Sequence, residues 1–200
     1  MRFADALGQA GLALAAIALL MSLPPLARLP RRWRATLALV AGVVLLWPVG
    51  ELSLIGYVRG VSGDLSVTAV VLAALGLWRR LAPVPSKVAE ATGAGLGAIV
   101  LLAILFYPPA LGLGGIDPYR WGYGDPGFVA AVALAGLAAW HRRENVLAAG
   151  VGLALLAWGA HAGESANLWD YLIDPLLSLY ALGACARRLL ERRITVPPTA

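Results

Sequence analysis

Four residues in the last third of the chain have the types that acid–base chemistry uses. His161 and Glu164 stand three positions apart, and Asp170 and Asp174 follow. An imidazole beside carboxylates serves a general acid and base, and also offers ligands to a divalent metal. One histidine with scattered acids is too sparse a set for metal, so no metal and no other cofactor is expected. These four are the candidates for catalysis, and the plain alternative is a histidine at a helix end bonded to its neighbour. The chain as a whole is expected to be non-catalytic.

A second group has the chemistry of binding. Glu51 falls in an otherwise apolar run, after Pro48 and Gly50. A carboxylate inside a membrane is costly and faces a partner or a cavity. The other reading ends the helix near Pro48 and leaves Glu51 at the interface. Arg59 with Asp64, and Arg120 with Asp125, repeat one spacing. Each is an expected ion pair, and each arginine has a fork that suits a phosphate or carboxylate ligand.

The two pairs belong to longer similar stretches. Tyr57-Val58-Arg59-Gly60-Val61-Ser62-Gly63-Asp64 leads to an apolar run ending Trp78-Arg79-Arg80. Tyr119-Arg120-Trp121-Gly122-Tyr123-Gly124-Asp125 leads to one ending Trp140-His141-Arg142-Arg143. A weaker third copy starts at Asp174. A parallel internal repeat of helical hairpins is one account. Shared grammar is the other: an aspartate caps a helix start and Arg-Arg marks its end.

Gly60-Val61-Ser62-Gly63 resembles the Gly-x-Ser-Gly of rhomboid intramembrane proteases, and Ala160-His161 resembles their His-bearing helix. That resemblance implies a Ser62–His161 dyad. The expected helix carrying His161 runs opposite to the rhomboid one, which argues against it. The only lysine, Lys87, is expected in a loop, so no span supplies a Schiff-base amine. There is no phosphate-binding glycine loop with its Lys-Ser/Thr.

The elements that must position these residues are membrane spans. The chain is 60% hydrophobic and only 14% charged over 200 residues, with mean hydropathy +0.77. Those values lie far outside the soluble range. About 20 helical residues cross a ~30 Å hydrocarbon core. Seven spans are expected, at about 4–23, 35–55, 65–78, 90–107, 127–140, 145–162 and 168–186, in one all-α domain over 1–200. Span three is short and needs local bilayer adaptation.

The charges are sorted between alternate gaps. Arg28, Arg31, Arg32, Arg34, Arg79, Arg80, Lys87, Arg142, Arg143, Arg187, Arg188, Arg192 and Arg193 are 13 of the 16 basic residues. The other gaps hold Arg2, Arg59 and Arg120. The positive-inside rule then puts the N-terminus outside and the C-terminus in the cytoplasm, with an uncleaved first span. Most acids and many aromatics fall on the outer side: Trp47, Tyr57, Tyr107, Tyr119, Trp121, Tyr123, Trp169 and Tyr171. They form an interfacial belt or a platform for carbohydrate or lipid headgroups.

The isoelectric point near 9.9 does not signal nucleic acid, because the basic clusters sit at span ends and not along one stripe. The single cysteine, Cys185, excludes an intrachain disulfide. Asn167, Asp170, Asp174, Ser178 and Cys185 fall on one helical face. Asp174 as a cap before Pro175 is the alternative. Ala91, Gly93, Gly95, Gly97, Gly136, Gly150 and Gly152 favour close helix packing.

The expected partners are the bilayer and another membrane protein. The function classes, in order, are an accessory or scaffold subunit of the bacterial inner membrane, a small transporter or lipid/solute-binding protein with an outer-face site, and an enzyme on a lipid-linked substrate.

Overall fold

The computed structural model describes residues 3–82 and 86–195, with side chains over 3–82 and 95–191. Arg2 therefore lies outside the described residues, as do the side chains of Lys87, Glu90, Ala91, Arg192 and Arg193. Among the described residues the protein is all-α apart from one small hairpin. Its elements are α1 (Phe3–Leu20), α2 (Pro24–Ala27), α3 (Arg31–Leu46), β1 (Pro48–Val49), β2 (Leu52–Ser53), α4 (Leu54–Ser62), α5 (Val67–Leu81), α6 (Ser86–Ala110), a 3-10 turn (Tyr119–Tyr123), α7 (Pro126–His141), α8 (Asn145–Gly159), α9 (Leu168–Leu172) and α10 (Pro175–Thr195).

Local chemistry sets most of these boundaries. Asp125 caps α7 by accepting from Phe128 N at 2.7 Å, and Pro126 supplies the preset first turn. Ser53 caps α4 and Ser66 caps α5 in the same way. Gly63, at φ +71°, ends α4 in a conformation that costs glycine no Cβ clash.

The run expected as span two does not continue to 55. The α3 helix stops at Leu46, Pro48 enters an antiparallel pair with Ser53, and Gly50 turns the chain at φ +71°. Proline cannot donate into a helical ladder, which is why the helix ends there. The last expected span also divides. Its residues 168–172 form α9, Ile173 is extended, and Asp174-Pro175 restarts the helix. The polar stripe from Asn167 to Cys185 is therefore not one helix face.

Among the described residues, only α1 is both long and apolar enough to cross a membrane. Gly95–Ala110, α7 and α8 are apolar but shorter.

The helices pack in a row, α3 on α1, α1 on α5, α5 on α8, and α8 on α7, while α6 pairs with α10 and leans on α8. Small residues sit at some of these seams. A Cβ added to Gly136 would meet Val151 at 3.0 Å, and one on Gly150 would meet Thr68 at 3.5 Å. Gly95, Gly97 and Gly152 have open space instead. The main core gathers Leu96, Ile99, Phe106, Ala154, Leu168, Trp169, Leu177 and Ala181 from α6, α8, α9 and α10. Trp169 and Tyr171 are thus core residues and not part of an exposed aromatic belt, whereas Trp47, Tyr57, Trp121 and Tyr123 are exposed.

The two ends of the bundle differ in charge. Asp5, Asp64, Glu164, Asp170 and Asp174 come together at one end. At the other, Arg80 donates to Met21 O at 3.2 Å, tying the last turn of α5 to the end of α1.

Candidate functional site at the acidic end

Arg59, near the end of α4, is held by three acids from three parts of the chain. Its Nε and Nη2 donate to Asp64 Oδ1 and Oδ2 at 2.5 and 3.1 Å, a bidentate pair. Nη1 reaches Asp5 of α1 at 3.1 Å, and Nη2 reaches Glu164 at 2.9 Å. The arginine side chain is only 14% exposed. Its hydrogen bonds to Asp64 raise its pKa above the ordinary arginine value, against the lowering effect of burial. A Cβ at Gly8 would collide with Asp64 and Arg59, so α1 can lie against the pair only because residue 8 is glycine.

Asp174 joins two helix starts. Its Oδ2 accepts from Ser66 N at 2.9 Å and Ser66 Oγ at 2.6 Å, and Oδ1 accepts from Leu177 N at 2.8 Å. It therefore caps α10 and holds the cap of α5. Asp170 accepts from Tyr119 Oη at 3.0 and 3.2 Å and from Ser165 Oγ at 2.5 Å. Burial pushes the Tyr119 phenol pKa up, and the neighbouring Asp170 carboxylate adds to the rise.

Asn167 is fully buried between the 3-10 turn and α9. Its Nδ2 donates to Tyr119 O, and its Oδ1 accepts from Trp169 N, both at 2.9 Å. Trp169 Nε1 donates to Pro118 O at 2.9 Å. Its ring lies between Phe106, at 4.2 Å, and Phe128, at 4.5 Å. Gly122 makes this approach possible, since a Cβ there would run into the Asn167 side chain.

These interactions frame a partly open cavity of about 740 Å³. It lies between the first turns of α1 and α5, the end of α6 and the segment 162–175. Asp64, Glu164, Asp170 and Asp174 are in its wall, with Tyr107, Tyr119 and Tyr171. The rest of the wall is largely apolar, including Leu7, Val67, Val70 and Leu111.

The residues singled out by spacing fare differently. Arg59 and Asp64 do pair. Arg120 and Asp125 do not: Arg120 is exposed, and the Asp125 carboxylate is used on Phe128 N. The two aspartates are thus unlike, and Asp174 resembles Asp125 in its role. Glu51 is exposed at the tip of the hairpin.

His161 is exposed at the end of α8 with φ +51° and is absent from the cavity wall that contains Glu164, Asp170 and Asp174. Ser62 is exposed and donates to Val58 O at 3.1 Å, an ordinary bond within the last turn of α4. No group of three or more His, Cys, Asp or Glu among the described residues is placed to hold a metal ion. Asp5 and Ser66 were not expected as site residues, and Tyr119 was expected only as part of the aromatic belt or platform. No local pattern could have paired them with partners so far along the chain.

No protein-family model, curated protein or solved structure matches the chain.

Proposed function

We propose that this chain is a non-catalytic multi-pass protein of the bacterial inner membrane that binds a lipid or solute at its acidic, outward-facing end. The cavity of about 740 Å³ carries the binding part of this reading. Its size falls within the range of about 300–1,000 Å³ typical of small-molecule sites, and it combines an apolar wall with a few converging polar groups.

The membrane part is supported by what the bundle leaves uncovered. Leu39, Val40, Val43 and Val44 of α3, Leu101, Ile104 and Leu105 of α6, Leu134 and Leu137 of α7, and Leu179 and Leu182 of α10 are exposed. A chain in water seldom leaves so many large apolar side chains exposed, and lipid covers them without cost. Helices of 15 or 16 residues, such as α5, α7 and α8, are about 22–24 Å long. Local thinning of the bilayer and flanking arginine and tryptophan side chains make up the difference. Orientation follows from the arginines at the end opposite the cavity.

A second reading, an accessory or scaffold subunit, is favoured by α3. That helix buries only Ala38 and presents an apolar face that suits a neighbouring membrane helix. An enzymatic role has less support. Asp170 and Asp174 already hold the fold together, Glu164 is paired with Arg59, and His161 lies off the cavity.

The test is affinity purification in mild detergent from native membranes, with mass spectrometry of proteins and lipids together. A small molecule recovered in stoichiometric amount supports the binding reading. A stoichiometric protein without one favours the accessory reading. Recovery of the chain in the soluble fraction overturns both.

A further inference from the structure

We propose that the cavity at the acidic end selects an amphipathic organic cation, a molecule with an ammonium head and an apolar chain. This rests on the binding reading above and adds the chemical class of the ligand.

The argument begins with what the cavity refuses. Arg59 is the one basic side chain in contact with the acids at this end, among the described residues. Its Nε, Nη1 and Nη2 are already engaged by Asp5, Asp64 and Glu164, and it is nearly buried. A phosphate or carboxylate ligand would have to displace those acids to reach it. It would also approach Asp64, Glu164, Asp170 and Asp174 in the wall. Arg120, a further arginine at this end among the described residues, is exposed and not in the wall. The anion-gripping role that the arginine spacing suggests is therefore closed to Arg59.

Charge counting gives the sign of what fits. Among the described residues the cavity wall holds four carboxylates, Asp64, Glu164, Asp170 and Asp174, and no basic side chain, an excess of negative charge that Arg59 beside Asp64 and Glu164 offsets only in part. Beside low-dielectric walls such an excess attracts a cation more strongly than it would in water. Glu164 is the natural first contact, because it meets Arg59 through one oxygen and is 63% exposed.

The apolar wall decides the rest of the ligand. Leu7, Val67, Val70 and Leu111 give a short chain somewhere to bury. A small inorganic cation would leave that surface unused, and a neutral alkane would leave the excess of carboxylate charge unmet. Aromatic rings in the wall, such as Tyr107, are compatible with an ammonium head.

The test uses the full chain in phosphatidylcholine nanodiscs, with empty nanodiscs as the blank. Octylammonium, octanoate and octanol are titrated by calorimetry, and the melting temperature is followed in parallel. Octylammonium is expected to bind and to raise the melting temperature, with octanoate and octanol weaker by about tenfold or more. Glu164→Gln is expected to weaken octylammonium alone, and Glu164→Gln with Asp170→Asn more so. Because Glu164 is at the rim, its single variant keeps the test readable if Asp170→Asn fails to fold.

Ala110→Trp, which places an indole in the cavity wall, is expected to abolish binding with every charge intact. If octanol binds as tightly as octylammonium and Glu164→Gln changes nothing, the cation preference is overturned while the binding reading stands. If no probe binds the wild-type chain above the blank, both fall.

Discussion

Asp174 and Ser66, 108 positions apart, share one carboxylate oxygen: Asp174 Oδ2 accepts from both the backbone N–H and the hydroxyl of Ser66. Ser66 in turn accepts from Ala69 N at 3.2 Å. One buried acid thus satisfies a free donor, Leu177 N, at the start of α10 and steadies the cap of α5, beside the candidate cavity. Removing it with Asp174→Ala leaves several buried donors unpaired. The expected loss is about 2–4 kcal/mol of stability, seen as a lower unfolding midpoint in detergent. Ser66→Ala, which keeps the backbone N–H bond, should cost less. Equal effects would count against the shared cap.

Gly8 and Arg59 are predicted to act as one unit. Gly8→Ala puts a Cβ into the Asp64–Arg59 pair. It should destabilise by about 1–3 kcal/mol, as overpacking does. In a background with both Arg59→Ala and Asp64→Ala the same change should cost much less, because both side chains that a Cβ at residue 8 meets are gone. A mutant cycle on thermal unfolding measures that coupling, and simple additivity would show that Gly8 and the pair do not interact.

Gly122→Ala should be among the most damaging small substitutions. The added methyl group meets the Asn167 side chain, which is buried and bonded to Tyr119 O and Trp169 N. The clash leaves those partners unsatisfied, at a cost of about 1–3 kcal/mol or more. Loss of near-ultraviolet dichroism from the packed Trp169 reports it, since that ring is wedged between Phe106 and Phe128.

Arg120 and Asp125 should separate cleanly, although their spacing matches that of Arg59 and Asp64. Arg120→Ala removes an exposed side chain and should change stability by no more than about 0.5 kcal/mol. Asp125→Ala removes the cap on Phe128 N and should cost about 1 kcal/mol. A large Arg120 effect would show that the exposed guanidinium has a role beyond folding.

Tyr119 predicts the alkaline limit of the fold. Its phenol pKa is raised in the folded state by burial and then by Asp170. The unfolded chain therefore releases this proton at lower pH than the folded one. Stability from Tyr119 is fully present below about pH 10, the ordinary tyrosine value, and declines as the pH rises further. Tyr119→Phe should flatten that decline. An unchanged slope between the two proteins above pH 10 would contradict the assignment.

How much of this was legible in the chain depends on how far apart the partners are. The Arg59–Asp64 pair could be read, because five residues span a helix end and a turn. The Asp125-Pro126 and Asp174-Pro175 starts could be read as caps, because a cap bonds to a backbone only two or three residues ahead. A helix end near Pro48 was one of two open readings, and α3 stops at Leu46. Proline forbids the next helical hydrogen bond, but it does not say how the chain continues. The similarity between 57–64 and 119–125 misled about the second ion pair. Asp125 had a competing bond to Phe128 N, and the nearer donor holds the carboxylate.

What the sequence determined by itself was the class of structure and its polarity. Apolar runs with few breaks make helices, and sorted arginines and acids mark their opposite ends. These follow from local backbone chemistry and from the composition of each segment. The tertiary structure alone decided which side chains meet. It brought Asp5, Arg59 and Glu164 to one place, set Ser66 on Asp174, and buried Asn167 against Tyr119. It turned His161 away from the acids it seemed to accompany. The reason is physical: such contacts depend on helix crossing and rotation, which are set by the summed packing of many side chains and not by any one spacing.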